Sequence, residues 1–356
     1  MASIIRSAGA ACVAGIVAVA VSPTHAETIK LTVVGAPPPT VTPVKVTKEF
    51  FVPEVSKRLA ASGKDVKIEW TEAYSQTLAK FPEVFETVEE GIAQVGVVLR
   101  VFEESKLPLE AYASAIPFGL TDMRSMIAVD ARVRAKVPEM NATFEKNGQV
   151  YLAGAISENM QVFTNFPVKS VDDMKGKKIG ASGALANYLR GTGAVVVNAS
   201  MQSSYVDIKN GVYDGYVIGF GLAMPYKTYE AAQNVALTNF GVTPTPCLTV
   251  NTKTWKSLPP YVQKIMLEVA QEWAVKNVDL DEKRVAGAMG AMKAKGVHIT
   301  VMPDAERARW AKTMPNIAKE WAADLDKKGQ PGSKVLAAYM EEVRASGKVI
   351  RDWEKD

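Results

Sequence analysis

The feature that most restricts the fold of this chain is an alternation of predicted strands and helices that occurs twice along the sequence. In the first third, strands are predicted over residues 28–34, 66–73 and 92–99, with amphipathic helices over 44–61 and 81–90 between them. This order is typical of a mostly parallel sheet covered by helices.

The same alternation begins again near residue 150, after two predicted helices over 124–136 and 139–147. Strands are then predicted over 150–156, 161–164, 177–179, 195–197 and 213–218, with short helices over 185–190 and 203–210. Beyond residue 260, amphipathic stretches over 261–295, 303–327 and 335–346 predict a mainly helical C-terminal region. No stretch rich in Pro, Gly or Ser separates the two units, so we predict two α/β lobes joined by several crossings of the chain.

The first 26 residues have the pattern of a secretory signal peptide. One basic residue, Arg6, precedes an uncharged run rich in Ala and Val, and small residues around Ala26 form a cleavage site. The run is too short to span a membrane comfortably. We therefore predict export to the periplasm and a mature chain that starts at Glu27; a buried N-terminal helix is the alternative.

Histidine and cysteine are scarce in this 356-residue chain, which limits the chemistry it can perform. Beyond the predicted signal peptide only His298 and Cys247 remain, too few for a Cys/His zinc site or an internal disulfide. Cys247 is predicted to be a small buried side chain. The sequence also lacks a phosphate-binding loop, a dinucleotide fingerprint and a nucleophile elbow. We expect no metal and no cofactor, and the net charge of +4 does not indicate a nucleic-acid partner.

Two α/β lobes place a ligand in a predictable position. In open α/β sheets, ligands bind beyond the carboxyl ends of the strands, where loops and helix N-termini converge. With two lobes facing each other, that position is the cleft between them, and closure of the lobes buries a small ligand. An exported two-lobe protein without catalytic motifs favours binding over catalysis.

Two segments of the second lobe form a recognisable pattern. The first is SVDDMKGKKI at 170–179, preceded by VFTN at 162–165; the second is SSY at 203–205 with KNGVYDG at 209–215. Together they resemble the second lobe of solute-binding proteins of TRAP transporters. Upstream, EGIAQVG at 90–96, LPL at 107–109 and PFG at 117–119 resemble the first lobe of the same family.

The resemblance implies both a fold and a function. The fold is that of the periplasmic binding proteins, with a ligand cleft between two α/β lobes and long C-terminal helices that cross both. Lobe I is expected at residues 27–152 and about 242–282, and lobe II at 153–241 and about 283–356. The implied function is capture of a small solute and its delivery to the membrane subunits of a TRAP permease, by a monomer or a homodimer.

The sequence departs from this family where the ligand carboxylate is usually bound. Most members carry an arginine immediately after the Lys-Ile pair, and its guanidinium makes a bidentate contact with the carboxylate. This chain has Gly180 there, and a second arginine common in part of the family is missing near Met160 or Gln161. A carboxylate bound by these arginines is therefore not expected.

Three replacements are compatible with the sequence. The turn that contains Gly180, Ala181 and Ser182 either offers backbone N–H groups to a carboxylate or only permits tight packing. Arg100, at the end of a predicted strand, either supplies the missing cation or forms an ion pair within the protein. The third replacement is an uncharged or mainly apolar ligand that stacks on aromatic residues. The aromatic residues near predicted strand ends, each also a candidate for the core, are Tyr74, Phe118, Tyr188, Tyr205 and Phe220.

We therefore predict an extracytoplasmic TRAP receptor, not an enzyme, whose ligand is a small organic acid, either an aliphatic dicarboxylate or an aromatic or hydroxylated acid. The predicted ligand contacts are Pro38, Tyr74, Arg100, Phe118, Asn159, Gly180, Ala181, Ser182, Tyr205 and Phe220. One alternative is the binding protein of an ABC or tripartite tricarboxylate transporter. The other is a periplasmic lyase or isomerase that uses carboxylates and tyrosine.

Overall fold

The computed structural model describes residues 27–356, so the predicted signal peptide lies outside the described residues. The strands are β1 (Glu27–Val34), β2 (Val66–Ala73), β3 (Val95–Leu99), β4 (Gln149–Gly154), β5 (Gln161–Thr164), β6 (Lys178–Ala181), β7 (Val195–Asn198), β8 (Gly215–Ile218), β9 (Asn234–Leu237), β10 (Pro246–Asn251) and β11 (His298–Val301).

The α-helices are α1 (Thr42–Val46), α2 (Val52–Ala61), α3 (Val84–Glu89), α4 (Tyr112–Ala115), α5 (Met123–Lys136), α6 (Glu139–Lys146), α7 (Ser204–Lys209), α8 (Phe220–Ala223), α9 (Thr228–Ala231), α10 (Thr252–Ser257), α11 (Pro260–Ala294), α12 (Asp304–Thr313), α13 (Ile317–Lys327) and α14 (Gly332–Ala345). A π-helical turn, Thr47–Phe51, joins α1 to α2, and a 3₁₀-helical turn, Gly183–Leu189, follows β6. No helix of this described region is long and apolar enough to cross a membrane.

The strands form two separate sheets, each with one strand that runs against the others. Sheet I has the order β2-β1-β3-β10-β4, and sheet II has the order β11-β9-β5-β8-β6-β7. In sheet I, β10 is antiparallel to β3 and β4, while β1, β2 and β3 are parallel. In sheet II, β5 is antiparallel to β8 and β9, while β6 is parallel to β7 and β8. Two α/β lobes are therefore present, as the repeated alternation predicts.

The two antiparallel strands are those that the chain enters directly after crossing between the sheets. Residues 155–160 lead from β4 to β5, and residues 238–245 lead from β9 back to β10. The two crossings lie side by side, because the Ser157 N–H donates to the Thr243 carbonyl at 2.8 Å and the Phe240 N–H donates to the Met160 carbonyl at 3.3 Å. This pairing makes the crossings a two-stranded hinge between the lobes.

The long helix α11 is the third connection, and its two halves belong to different cores. In its first half, Val262, Met266 and Trp273 are fully buried against sheet I. In its second half, Ala288 and Met292 pack into a core of lobe II. The long C-terminal helix therefore contacts both lobes, as the resemblance implies.

Several predicted elements need correction. The predicted helical stretch over 303–327 is two helices, α12 and α13, because Pro315 lies between them and proline cannot donate an intrahelical hydrogen bond. The predicted helix over 185–190 is the 3₁₀-helical turn Gly183–Leu189, and the predicted strand over 92–99 begins only at Val95. Strands β9 and β10 were not predicted. The strand bounds at 66–73 and 161–164 are confirmed.

Candidate ligand cleft

The candidate site lies where the carboxyl edges of the two sheets face each other. β4 runs parallel to β3, so the first crossing leaves sheet I at the edge where β1, β2 and β3 also end. β5 runs against β8, so the same crossing enters sheet II at the edge where β6 and β8 end. The second crossing leaves sheet II at that same edge, after β9, and enters sheet I at the start of β10. The chain therefore joins the two edges at which α/β sheets bind their ligands.

Tyrosine rings occupy the space beside Gly180, where the resemblance predicts an arginine. Gly180 of β6 pairs with Tyr216 of β8. A Cβ at residue 180 would lie 2.6 Å from Tyr216 Cδ2 and 3.0 Å from the Tyr213 ring, so a larger residue fits only if the rings move. The Tyr216 hydroxyl donates to the Ala199 carbonyl at 2.7 Å, which holds the ring in place. Gly180 is thus packed closely against Tyr216 and Tyr213, which leaves no space for a larger side chain in this arrangement.

Gln161, one of the two residues near which the resemblance predicts a second arginine, is paired within the protein. Gln161, the first residue of β5, is buried. Its Nε2 donates to Asn239 Oδ1 at 2.8 Å, and its Oε1 accepts from the Asn239 N–H at 2.9 Å. Both ends of the amide are therefore used to bind β5 to the second crossing.

Arg100 belongs to a buried cluster of four charges, which we call the buried charge cluster: Arg100, Glu110, Asp130 and Arg134. The Arg100 side chain is 1% exposed, and its Nη1 donates to Glu110 Oε2 at 2.6 Å. Arg134 donates to the same Glu110 carboxylate and to Asp130 Oδ2. The positive charges of the two guanidinium groups equal the negative charges of the two carboxylates. The geometry therefore favours the ion-pair alternative for Arg100 over a free cation.

In this cluster, the neighbouring opposite charges affect the pKa values more than burial does. Burial raises the pKa of Asp130, yet Arg134 and Arg100 hold the pKa of that carboxyl below its usual range. Burial also lowers the pKa of Arg100, but Glu110 and its neighbours raise that pKa above its ordinary value. The hydroxyls of Tyr112 and Tyr151 donate to Asp130 at 2.8 and 3.1 Å. Asp130 therefore remains ionised at neutral pH, and the cluster holds α5 against sheet I.

One nitrogen of Arg100 remains without an acceptor in the described chain. This atom, Nη2, is buried, and a crevice of about 20 Å³ lies beside the Arg100 side chain. Val101, Ser114 and Thr243 are among the residues that line the crevice. Its volume is that of about one water molecule, so a contact between Arg100 and a ligand would be indirect. A direct contact between Arg100 and a ligand remains only a prediction.

Three of the predicted aromatic contacts lie in the core. Phe118 and Phe220 are 1% and 2% exposed, and each packs edge to face on another phenylalanine. The Tyr188 ring is equally buried, and its hydroxyl donates to the Ser114 carbonyl at 2.9 Å. For these three residues the structure favours the core alternative.

Polar contacts within the protein occupy Asn159 and Tyr205. Asn159, in the first crossing, donates from Nδ2 to the Thr121 carbonyl at 2.6 Å and accepts from the Gly241 N–H at 3.1 Å. Tyr205 lies on α7, where its hydroxyl accepts from Lys209 Nζ at 3.3 Å. Both residues are half-buried, and their contacts with a ligand stay predictions.

The remaining predicted contacts lie at the carboxyl edges. Pro38 is exposed in the loop after β1, and Tyr74, just after β2, packs its ring against Gly35 at the end of β1. Ala181 ends β6 and is buried, whereas Ser182 is half-buried. A Cβ at the next residue, Gly183, would meet no atom within 4 Å, so this turn borders open space.

A charged network that the sequence did not predict connects the two lobes. We call it the interlobe network: Thr42, Glu158, Gly221, Asp281 and Arg284. The Thr42 hydroxyl, at the start of α1, donates to Asp281 Oδ1 on α11 at 2.6 Å, and Arg284 Nε donates to the same oxygen at 3.1 Å. Arg284 Nη2 then donates to Glu158 Oε1 at 3.3 Å, and Glu158 Oε2 accepts from the Gly221 N–H at 2.8 Å. A continuous chain of hydrogen bonds therefore links α1 in lobe I to α8 in lobe II.

Glycines after β8 make room for this network. A Cβ at Gly219 would lie 2.4 Å from Glu158 Cδ, and one at Gly221 would lie 2.5 Å from Arg284 Nη1. The Glu158 carboxylate is 2% exposed, and burial raises its pKa while Arg284 and the Gly221 N–H oppose that effect. The Gly-x-Gly spacing after β8 is a sequence signal that could have indicated a close contact at this strand end. Asp281 and Arg284 on α11 gave no such signal, because charged residues on a long helix usually face solvent.

Other features of the described residues add no catalytic arrangement. Cys247 is buried, as predicted, and burial raises the pKa of its thiol to about 12. No group of three or more His, Cys, Asp or Glu side chains in this region could hold a metal ion. A cavity of about 280 Å³ lies beside the buried charge cluster, between α5 and β4.

Comparisons with known proteins agree with this architecture. The C4-dicarboxylate-binding periplasmic protein DctP of Shewanella loihica is 26% identical over 198 residues, which cover 53% of this chain and 56% of that protein. The chain spans about half the length of the curated relatives it matches. Among solved structures, a TRAP periplasmic solute-binding protein of Desulfovibrio salexigens in an open complex superposes with a TM-score of 0.77 at 24% identity, covering 92% of this chain and 98% of that chain.

Two further structural neighbours hold a ligand. A second Desulfovibrio salexigens TRAP protein has bound orotic acid, with a TM-score of 0.71, 20% identity and coverage of 89% and 99%. A TRAP protein of Sulfitobacter sp. NAS-14.1 has bound β-D-galacturonate, with a TM-score of 0.68, 17% identity and coverage of 86% and 99%. At these identities the neighbours establish the fold of this chain.

The family follows from a match to most of the sequence. Residues 42–324 match the family model DctP, described as bacterial extracellular solute-binding protein, family 7. That match extends over both lobes and the long helix. It excludes the lyase or isomerase alternative, because the family consists of receptors and not of enzymes. This chain belongs to family 7 of the bacterial extracellular solute-binding proteins.

Proposed function

We propose that this protein is the extracytoplasmic receptor of a TRAP transporter, which captures a small organic acid in its cleft and delivers it to the membrane subunits of a permease. The observation that carries the proposal is the cleft itself, two carboxyl edges that face each other across a paired hinge in a chain of this family. The TRAP neighbours that hold orotic acid and galacturonate support an organic acid and favour a TRAP permease over an ABC or tripartite tricarboxylate system.

Closure of the lobes is the proposed mechanism of capture. The crossings 155–160 and 238–245 and the helix α11 join the lobes, so the lobes can rotate about them without unfolding either sheet. A ligand drives that rotation only if it binds the closed form more tightly than the open form. The closed form is then the state that docks on the permease.

The carboxylate must be bound without the usual arginines. Gly180 and Gln161 replace them, and Arg100 is neutralised in the buried charge cluster. We place the carboxylate at the turn after β6, where Ser182 is half-buried and Gly183 borders open space. Backbone N–H groups and a serine hydroxyl can bind an anion there, but a neutral ligand would find the same donors. The charge of the ligand is therefore the first property to measure.

A thermal-shift screen of the chain from Glu27 onward tests this proposal. Ligands that bind only the folded state raise the melting temperature by mass action. Orotate, galacturonate, aliphatic dicarboxylates and aromatic acids are compared with their neutral amides. We expect at least one acid to raise the melting temperature by several degrees while its amide does not. Equal shifts with an acid and its amide, or shifts with neutral compounds alone, would contradict a carboxylate receptor.

A further inference from the structure

We propose that the lobe I wall of the cleft binds the apolar part of the ligand, so that the preferred substrates are organic acids with an aromatic or branched aliphatic body. This inference rests on the proposed function and adds the class of acid. Four large apolar side chains at the carboxyl edge of sheet I carry it, and we call them the apolar lip. They are Val41, Leu78, Val101 and Phe102, exposed by 41%, 42%, 49% and 48%.

The apolar lip is one surface, although its residues come from three loops. Val41 follows β1, Leu78 follows β2, and Val101 and Phe102 follow β3, and these strands are neighbours in sheet I. The Ser75 N–H donates to the Pro37 carbonyl at 3.2 Å, which joins the first two loops. The rings of Phe81 and Phe102 lie 5.6 Å apart, which joins the second loop to the third. Exposed apolar side chains that cluster in this way mark binding surfaces.

The residues that directly follow β6 and β8 at the facing edge of lobe II are small. The turn after β6 consists of Ser182, Gly183 and Ala184, and Gly219 follows β8. None of the exposed large hydrophobic residues of the described chain lies in these two turns. Closure therefore brings the lip opposite small residues and backbone N–H groups. A ligand with an apolar body toward lobe I and a carboxylate toward lobe II fits both walls.

Tyr74 adds one polar group to the same wall. The residue is 7% exposed, and burial together with the nearby Glu72 carboxylate raises the pKa of its hydroxyl. A buried hydroxyl needs a hydrogen-bond partner, and a polar ligand atom can serve as one. A hydroxyl or carbonyl substituent on an otherwise apolar ligand would do so.

Calorimetric titration with two kinds of acid tests the inference. The acids with an aromatic body are phenylacetate and 4-hydroxyphenylacetate, and the polar acid is galacturonate. The variant is Leu78→Ser with Phe102→Ser, and the matched control is Ile92→Ser, a residue 56% exposed just before β3, at the opposite edge of sheet I. All of these side chains are exposed, so the variants keep the fold, and their melting temperatures verify this.

We expect an aromatic acid to bind the parent protein at least tenfold more tightly than galacturonate, with a negative heat-capacity change that marks apolar burial. The double variant should lose at least tenfold in affinity for the aromatic acids, and the control should change less than twofold. Tighter binding of galacturonate, or an unchanged affinity in the double variant, would overturn this inference and leave the acid receptor intact. Failure of every acid to bind would overturn the proposed function as well.

Discussion

Two arginine networks lie near the cleft, and they differ in what they connect. In the buried charge cluster, Arg100 and Arg134 are 1% and 5% exposed and bind carboxylates on elements packed against sheet I. In the interlobe network, Arg284 is 37% exposed and lies between carboxylates from α11 and from the hinge. The first network is internal to one packed unit, whereas the second joins the two lobes, which rotate relative to each other in the proposed closure.

This difference gives a criterion for a structural arginine and a functional one: the first should affect stability, and the second should affect ligand affinity. A buried charge without its partner costs several kcal/mol, so the cluster should act on stability. A network shared by two lobes changes its geometry with their rotation, so it should act on the equilibrium between open and closed forms and therefore on affinity. Three substitutions sharpen or break this comparison, in order of decreasing effect.

Arg134→Met should have the largest effect. Glu110 and Asp130 would each lose a buried partner, and we expect a loss of about 3–5 kcal/mol in the free energy of unfolding. Urea unfolding measures the loss, and the ligand affinity of the remaining folded protein should stay within about twofold. The control is Arg134→Met combined with Glu110→Gln, which restores charge balance and should recover part of the stability. A loss below about 1 kcal/mol in the single variant would contradict a structural role.

Arg284→Met should act mainly on binding. We expect a loss of about 1–2 kcal/mol in stability, because the buried Glu158 carboxylate keeps only backbone donors, and a several-fold change in affinity, because the equilibrium between open and closed forms shifts. Titration calorimetry and small-angle scattering with and without ligand measure both. The matched control is Arg309→Met, a residue 45% exposed that pairs with Asp172 and Glu306 on the surface. Equal effects of the two variants on affinity would break the comparison.

Glu103→Gln should have the smallest effect, and this effect should develop as the pH rises from about 4.5 to about 7. Glu103 lies beside the cluster, and burial raises its pKa to about 7 while Lys106 only partly opposes this. The folded state therefore holds the proton on Glu103 more tightly than the unfolded chain does. The stability that protonated Glu103 contributes is fully present below about pH 4.5 and is lost as the pH rises to about 7. We expect the variant to be more stable than the parent at pH 8, on the order of 1 kcal/mol, and equally stable at pH 4.5. Melting curves across that range that stay parallel would refute the assignment.

Much of the fold could be predicted because local patterns encode it. Alternating apolar residues indicated β2 with its correct bounds, a short run indicated β5, and the amphipathic stretch beyond Pro260 indicated α11. β9 and β10 were not predicted, and β10 is buried along its whole length, so no alternation of polar and apolar residues marks it as a strand. The division between α12 and α13 was missed although Pro315 marks it.

The predicted ligand contacts fall into two groups in the structure. Tyr74, Ser182 and Pro38 lie at the carboxyl ends of strands, where the cleft is expected. Phe118 and Phe220 are in the core, since an aromatic residue near a strand end packs inward as readily as outward. No sequence signal separates these cases, because burial depends on the neighbours that other parts of the chain supply.

The sequence by itself determined that this chain has two α/β units and no arginine at residue 180. Both follow from local features, namely the periodicity of apolar side chains and the identity of one residue in a motif. Only the tertiary structure decided which charges meet. Arg100 and Arg134 share Glu110, and Arg284 contacts Glu158 from 126 residues away. Pairing of charges depends on distances in space, and the antiparallel strands β5 and β10, with the crossings that precede them, set those distances.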